Sequence, residues 1–125
     1  MEELLQRLLD RVEGAFAAGL GTLDGLLVEG VRRKRVDLEA AIAEHAALFR
    51  QARAAYAASL GASRVEELWI GGHPVVGYAR MARAPKARED LFLLLLLEPS
   101  ANLGRARVEA AKAAEKLWEV VGWPT

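Results

Sequence analysis

The longest unbroken apolar run in the chain predicts the centre of a β-sheet. Seven apolar residues follow one another at 91–97, between Glu89-Asp90 and Glu98-Pro99. The run is far shorter than the roughly 20 residues that span a bilayer. Leucine favours helices, but the short length and the polar residues on both sides favour a strand. A strand that is apolar on both faces must be covered on both, so we expect helices above and below the sheet.

The N-terminal segment has the period of an amphipathic helix. Its apolar residues share one stripe, while charged residues occupy the rest of the surface. The pattern predicts a first helix over 2–18, with Gly19 and Gly21 as helix stops. The stripe consists of Leu5, Leu8, Leu9, Val12 and Phe16.

Two interpretations of the next segment remain open. The first makes 22–30 one strand and 31–36 a tight turn with a short, charged edge strand. The second places a turn at Asp24-Gly25, the usual hairpin dipeptide, and makes 26–29 the second strand. We prefer the first, because the second breaks the helical stripe at Phe16.

Residues 38–60 predict a long second helix with two faces. Asp37 is a good N-cap, and Glu39 suits the first turn. The core stripe consists of Leu38, Ile42, His45, Phe49, Ala52, Tyr56 and Leu60. High helix propensity explains some of the remaining alanines, but a smooth, nearly uncharged face also lets another helix approach closely. We therefore expect a dimer or partner interface formed by Ala43, Ala46, Ala47, Arg50, Arg53, Ala54 and Ala57.

The second half of the chain predicts a hairpin, the apolar strand and a last helix. Two strands flank "GGHP", a connection rich in Gly and Pro. After the apolar strand, Ser100 or Asn102 caps the last helix. Its expected buried stripe is Leu103, Ala106, Ala110, Ala114, Leu117 and Val121. The element order is helix, two strands, helix, three strands, helix.

Composition narrows the classes of function. The 17 basic and 17 acidic residues give a net charge of zero, without the positive excess of nucleic-acid binders. No cysteine is present, which excludes disulfides, thiolate metal sites and a cysteine nucleophile. The acidic, periodic N-terminus is not a signal peptide, so we expect a cytoplasmic protein without membrane partners. The scarcity of Asn and Gln suits a thermophilic source.

Candidate chemical groups are few. His45 and His73 lack convergent partners, and no Ser-His-Asp, paired-carboxylate or HExxH arrangement is visible, so we expect neither an enzyme nor a metal site. A single Gly104 without a phosphate-binding motif predicts no nucleotide cofactor. The basic segment 31–35 is interpreted as an edge strand protected by charge, with contact to an acidic partner as the alternative.

The motifs in this order resemble the roadblock (dynein light chain) family. The resemblance rests on the alanine-rich second helix, the strand that opens with Val65-Glu66-Glu67, the aliphatic strand, and the triplet Asn102-Leu103-Gly104 before a helix containing "AAE". It covers residues 22–121 of one expected domain, 1–125. It implies an α+β fold of roadblock/profilin type, with five antiparallel strands, the second helix on one face and the other two opposite. Asn102 would cap the last helix, and Gly104 would let its first turn pack close to the sheet.

The resemblance also implies a function. Roadblock proteins form homodimers through the second helix and its neighbouring strand, and bacterial members of the MglB type act on small Ras-like GTPases. We therefore expect a non-catalytic homodimeric regulator or platform for such a GTPase, with an arginine finger from Arg50 or Arg53 left open. The alternatives are a structural scaffold, or a profilin- or PAS-like sensor that would need an apolar pocket between sheet and helix.

Overall fold

The computed structural model confirms the predicted fold class. It describes residues 1–82 and 90–121, with the backbone alone at 118, 120 and 121. Five antiparallel strands form one sheet in the order β2-β1-β5-β4-β3. The elements are α1 (Glu2–Arg11), β1 (Ala15–Thr22), β2 (Leu27–Arg32), α2 (Leu38–Leu60), β3 (Glu67–Ile70), β4 (Val76–Ala82), β5 (Leu91–Leu97) and α3 (Leu103–Val121).

The apolar run forms β5, the central strand, and is buried on both faces as predicted. Leu91, Leu93, Leu95 and Leu97 belong to the core under α1 and α3. Phe92, Leu94 and Leu96 belong to the core under α2. Successive strand residues point to opposite faces, so one strand without a polar position supplies both cores.

The first helix ends earlier than the predicted 2–18. Helix α1 stops at Arg11, and Val12 is already extended. Gly14 then takes φ 90°, and the chain turns into β1. Phe16 therefore lies on a strand, in the core below α2. Strand β1 is composed mainly of Ala and Gly and is buried along its whole length, so it lacks the alternation that marks a half-buried strand.

The preferred interpretation of the first hairpin is wrong, and the turn lies at Asp24-Gly25. Gly25 has φ 97°, a conformation that side chains disfavour, and its N–H donates to the Thr22 carbonyl at 2.9 Å. Strand β2 follows directly. Of the basic segment, only Val31 and Arg32 belong to β2, and residues 33–35 lie in the link to α2.

Glycines let α2 sit close to the sheet. A Cβ added to Gly21 of β1 would lie 2.6 Å from Ile42 Cγ2, and one added to Gly30 of β2 would lie 2.5 Å from Leu38 Cδ2. The same holds on β4, where a Cβ on Gly77 would lie 2.6 Å from His45 Nε2. The α2 side chains thus occupy the space of missing Cβ atoms.

Helix α3 begins with an asparagine cap. The Asn102 Oδ1 atom accepts the backbone N–H of Arg105 at 2.9 Å. The expectation for Gly104 is wrong: it is exposed, and an added Cβ would meet only Asn102 Oδ1 at 3.5 Å. Leu103 is also 40% exposed rather than buried, because it lies in the first turn, before α3 reaches the sheet. The side chain of Val121 lies outside the described residues.

Candidate functional site

The C-terminal half of α2 has no buried residue. Leu38, Ile42, Ala46 and Phe49 form its buried stripe. From Arg50 to Leu60 every side chain is exposed or half-buried. The predicted core positions Tyr56 and Leu60 are 50% and 68% exposed, because the helix outruns the sheet below it. Apolar side chains at inward positions without cover mark this half of α2 as a candidate contact surface.

One flank of this helix faces β4 and the edge strand β3. His45 defines the direction, since its ring lies against Gly77 of β4. Leu48 and Ala52 are three and seven residues further along and therefore share that flank. Leu48 is 37% exposed and Ala52 is half-buried, so the flank can be reached from outside.

Strand β3 extends the apolar surface beyond the helix. Ile70 lies on the α2 side of the sheet, since it is two residues from Leu68, which packs in the α2 core. Trp69 points to the other side, where its ring stacks on the ring of Tyr78 with 4.0 Å between the ring centroids. Ile70 is 41% and Trp69 37% exposed. An edge strand with exposed large apolar side chains on both faces is suited to pairing with another chain.

An ionic cluster fixes β3 to the opposite layer. Glu67 accepts hydrogen bonds from Arg107 of α3 at 2.7 and 2.8 Å, from the Tyr78 hydroxyl at 2.7 Å and from Arg80 at 3.2 Å. The bonds from Arg107 are the main reason that the pKa of Glu67 lies below its usual value. Burial raises the pKa of Tyr78 to about 12. The cluster holds β3 in place while leaving its outer edge open.

The predicted interface residues fall into different environments. Ala46 is fully buried against the sheet, which corrects its assignment to the outer face of α2. Ala46 is four residues after Ile42 and three before Phe49, so the helical period itself places it on the buried stripe. Ala43 is exposed near Gly25 of the β1–β2 turn, and Ala47 is half-buried. Ala54 and Ala57 are exposed.

The two arginines of the predicted interface are already engaged. Arg50 donates to the Leu23 carbonyl. Arg53 lies 3.4 Å from an Asp90 carboxylate oxygen at the start of β5. Both therefore hold α2 to the ends of β1 and β5, on the flank away from β3.

Solved structures share this architecture over nearly the whole chain. No family model and no curated protein matches the chain. The Roadblock/LC7 domain from Streptomyces avermitilis superposes with a TM-score of 0.85 at 16% identity, covering 98% of both chains. The gliding protein MglB from Thermus thermophilus superposes with a TM-score of 0.80 at 22% identity, and the match covers 94% of this chain and 85% of that chain. MglC from Myxococcus xanthus is 30% identical over 92% of this chain and 93% of its own, with a TM-score of 0.61. The chain belongs to the roadblock family.

Two of the four basic side chains at 31–35 of this roadblock protein are paired with carboxylates of the same chain. Arg33 pairs with Asp10 of α1, and Lys34 pairs with Glu98 at 2.7 Å. Lys34 also lies 4.0 Å above the Phe16 ring. These contacts hold the β2–α2 link to the rest of the fold.

The histidines of this roadblock protein do not converge. His45 Nδ1 lies 2.7 Å from the Ala41 carbonyl within α2, and His73 lies in the exposed connection between β3 and β4. Within residues 1–82 and 90–121, no three His, Asp or Glu side chains form a group that could hold a metal ion. Over the same part of the chain, no helix is long and apolar enough to cross a membrane.

Two cavities lie away from the α2 face of this roadblock fold. A cavity of about 40 Å³ lies between α1 and α3, beside the buried carboxylate of Glu109. Ligand pockets usually measure about 300–1,000 Å³, so this cavity has room for water only. An open cleft of about 440 Å³ is lined by Glu13, Gly14, Ser100, Ala101 and Asn102. Neither is the apolar pocket between sheet and helix that a sensor domain would need.

Proposed function

We propose that this chain is a non-catalytic, homodimeric regulator or platform for a small Ras-like GTPase in the cytoplasm. The observation that carries the proposal is the presence of exposed large apolar side chains both on α2 and on the edge strand β3. Family membership supports it, because roadblock proteins dimerise through these two elements and bacterial members act on such GTPases.

The difference between the two sheet edges supports assembly through β3. At the other edge, the Gly30 N–H of β2 donates to its neighbour's carboxylate, Glu29 Oε1, at 3.2 Å. The β1–β2 register shifts where Val28 has no partner residue. A bulge and charged side chains discourage the addition of another strand. Edge strand β3 has no bulge, and its one charged side chain, Glu67, is held by Arg107.

The contacts of Arg50 and Arg53 favour a mode of action without an arginine finger. Each would have to break its bond to Leu23 or Asp90 before it could reach a bound nucleotide. We therefore propose that the dimer acts by holding the switch loops of the GTPase, so that the catalytic groups belong to the GTPase itself.

The test is binding to the small Ras-like GTPases of the same genome, each loaded with GDP or with a non-hydrolysable GTP analogue. Preference for one nucleotide state supports a regulator. Equal binding to both states contradicts regulation and favours a structural scaffold. Failure to bind any of them overturns the GTPase proposal.

A pair of matched variants locates the binding surface. Ala54→Arg adds a large cation to the exposed face of α2, and Val108→Arg adds the same group to an exposed position of α3, on the other side of the sheet. We expect weakened GTPase binding for Ala54→Arg alone. An equal loss of GTPase binding in both variants, or a loss for Val108→Arg alone, would place the GTPase-binding surface away from α2.

A further inference from the structure

The groove between α1 and α3 lies on the side of the sheet opposite α2, and most of its polar lining is cationic. The two helices form its walls, and the buried residues Leu4, Leu8 and Ala113 form its floor. A single carboxylate therefore meets four positive charges in one groove of a chain whose net charge is zero. The described charged side chains that line this α1–α3 groove are Arg7, Arg11, Glu109, Lys112 and Lys116.

The buried carboxylate of Glu109 is shared among three cations. Its side chain is 5% exposed, and its oxygens lie 3.8 Å from Arg11, 3.4 Å from Arg105 and 3.5 Å from Lys112. One carboxylate can neutralise only one of these three charges. The cations themselves are 52%, 54% and 61% exposed, so each can still contact a further anion. Glu109 thus holds both walls of the groove together and leaves an excess of positive charge.

The other two cations of the groove are weakly engaged. Arg7 pairs with Glu3 at 3.5 Å, but both side chains are largely exposed, and such pairs contribute little. Lys116 is exposed and forms no ion pair within the part of the chain that the structure describes. The groove therefore carries positive charge that its own chain does not neutralise.

The cations repeat at the same interval on both walls. Arg7 and Arg11 are four residues apart on α1, and Lys112 and Lys116 are four residues apart on α3. Four residues advance a helix by about 6 Å, so each wall presents two charges at that separation. A partner helix with a carboxylate at every fourth residue presents its negative charges at the same separation along one face.

The shape of the groove argues against two other kinds of anionic partner. The cavity of about 40 Å³ is far below the usual size of a small-molecule site, so a phosphate-bearing metabolite does not fit. A helix that lies in a membrane surface inserts exposed apolar side chains, but Leu4 and Leu8 are buried. A helix that lies along both walls needs neither a deep cavity nor exposed leucines.

We infer that the α1–α3 groove binds an acidic helix of a partner protein, whose carboxylates contact the cations of both walls. Glu109 is a positioning residue in this site, since it holds Arg11 and Lys112 beside the groove. The inference goes beyond the proposed GTPase regulation, because the groove and α2 lie on opposite faces of the sheet. The two partners do not compete for one surface, so the chain can link a GTPase to a second protein.

Synthetic helical peptides test the inference. The probe is a fluorescently labelled, alanine-based peptide with glutamate at every fourth position, and its control carries glutamine at the same positions. In fluorescence anisotropy at low ionic strength, we expect the glutamate peptide to bind and the glutamine peptide not to bind. Binding should weaken as salt is raised to about 0.15 M, because salt screens exposed charges.

Two charge reversals locate the peptide on the protein. Lys116→Glu changes an exposed groove residue that has no ion pair to lose, and Arg64→Glu makes the same change of charge before β3, away from the groove. We expect the dissociation constant of the glutamate peptide to rise about tenfold for Lys116→Glu and less than about twofold for Arg64→Glu. Circular dichroism establishes that both variants are folded. Equal weakening in the two variants would show that net charge alone attracts the peptide, which contradicts a specific groove.

The remaining outcomes also decide the question. Equal binding of the two peptides, or no binding of the glutamate peptide, overturns the inference. Binding to phosphatidylglycerol vesicles in place of the peptide would assign the groove to a membrane surface instead.

The variant Ala54→Arg separates this inference from the proposed function. We expect it to weaken GTPase binding and to leave peptide binding unchanged, since Ala54 lies on α2. A loss of peptide binding in Ala54→Arg would place the peptide on α2 and overturn the groove, whatever the outcome for the GTPase.

Discussion

Arg107 of α3 donates from Nε and Nη2 to both carboxylate oxygens of Glu67 on β3, at 2.7 and 2.8 Å. This two-bond pair joins the last helix to the outermost strand. Glu67 is only 19% exposed, whereas Arg107 is 60% exposed, so the carboxylate is held under the guanidinium group. The edge that we propose for self-association is therefore stabilised from the opposite face of the sheet.

The pair predicts a pH-dependent difference in stability. The pKa of Glu67 in the folded protein lies below its ordinary value of 4.5, chiefly because of the hydrogen bonds from Arg107. A carboxylate whose pKa is lowered by folding stabilises the protein at pH values above its pKa in the unfolded chain. This contribution is lost as the pH falls through its pKa in the folded protein. We expect the melting temperature of Arg107→Ala to be lower than that of the wild type at pH 7. The difference in melting temperature should narrow below about pH 4.5.

Thermal melts from pH 7 to pH 3 check this prediction. Arg64→Ala serves as the control, because the ion pair of Arg64 with Glu66 is exposed on both sides and should contribute little. A difference in melting temperature between Arg107→Ala and the wild type that stays constant from pH 7 to pH 3 would contradict a role for the Glu67 charge.

The glycines below α2 predict a steric effect. We expect Gly21→Ala to destabilise the fold by about 1–3 kcal/mol, the usual cost of overpacking. The new Cβ would lie 2.6 Å from Ile42 Cγ2, which is fixed next to the helix backbone. Gly71→Ala is the control, since a Cβ there meets nothing within 4 Å. Urea unfolding of both variants measures the difference, and equal stability would show that α2 can move away.

The asparagine before α3 predicts a helix-cap effect. We expect Asn102→Ala to lower the free energy of unfolding by about 1 kcal/mol, since the Arg105 N–H loses its acceptor. Ser100→Ala changes the other cap candidate, which lies three residues before the first residue of α3, and should cost less. A larger loss for Ser100→Ala in chemical denaturation would identify Ser100 as the cap.

The β2 edge predicts a change in assembly. Glu29→Ala removes the carboxylate that accepts the Gly30 N–H, so this edge gains a free donor and loses a charge. We expect species larger than the dimer in analytical ultracentrifugation at high concentration. Glu44→Ala makes the same change of charge at an exposed α2 position and should not produce them. Identical behaviour of the two variants would show that Glu29 does not protect the edge.

The sequence identified the elements whose burial is uniform or periodic. Strand β5 was predictable because all seven residues are apolar, and α2 because its cap and stripe agree. Strand β1 was missed because its Ala and Gly residues leave room for α2, and small residues carry no strand signal. The Asp24-Gly25 dipeptide and Gly14 were the signals that could have revealed it.

The candidate site was predicted only in part. Helical spacing places Tyr56 and Leu60 on the inward stripe, but it cannot show that the sheet ends before reaching them. The same spacing places Ala46 between Ile42 and Phe49 on the inward stripe, so its assignment to the smooth face overlooked the helical period. The cluster around Glu67 joins residues of β3, β4 and α3 that only the tertiary fold brings together.

The central position of β5 also bears on how the chain is made. Strand β1 pairs along its length with β5, so the partner of Leu20 is Leu93, which is synthesised much later. Until the ribosome releases β5, the β1–β2 and β3–β4 hairpins remain separate, each with an uncovered apolar face. Such late, long-range pairing slows folding and exposes intermediates to aggregation. A nascent chain that ends at Ala82 therefore carries four of the five strands without the one that joins them.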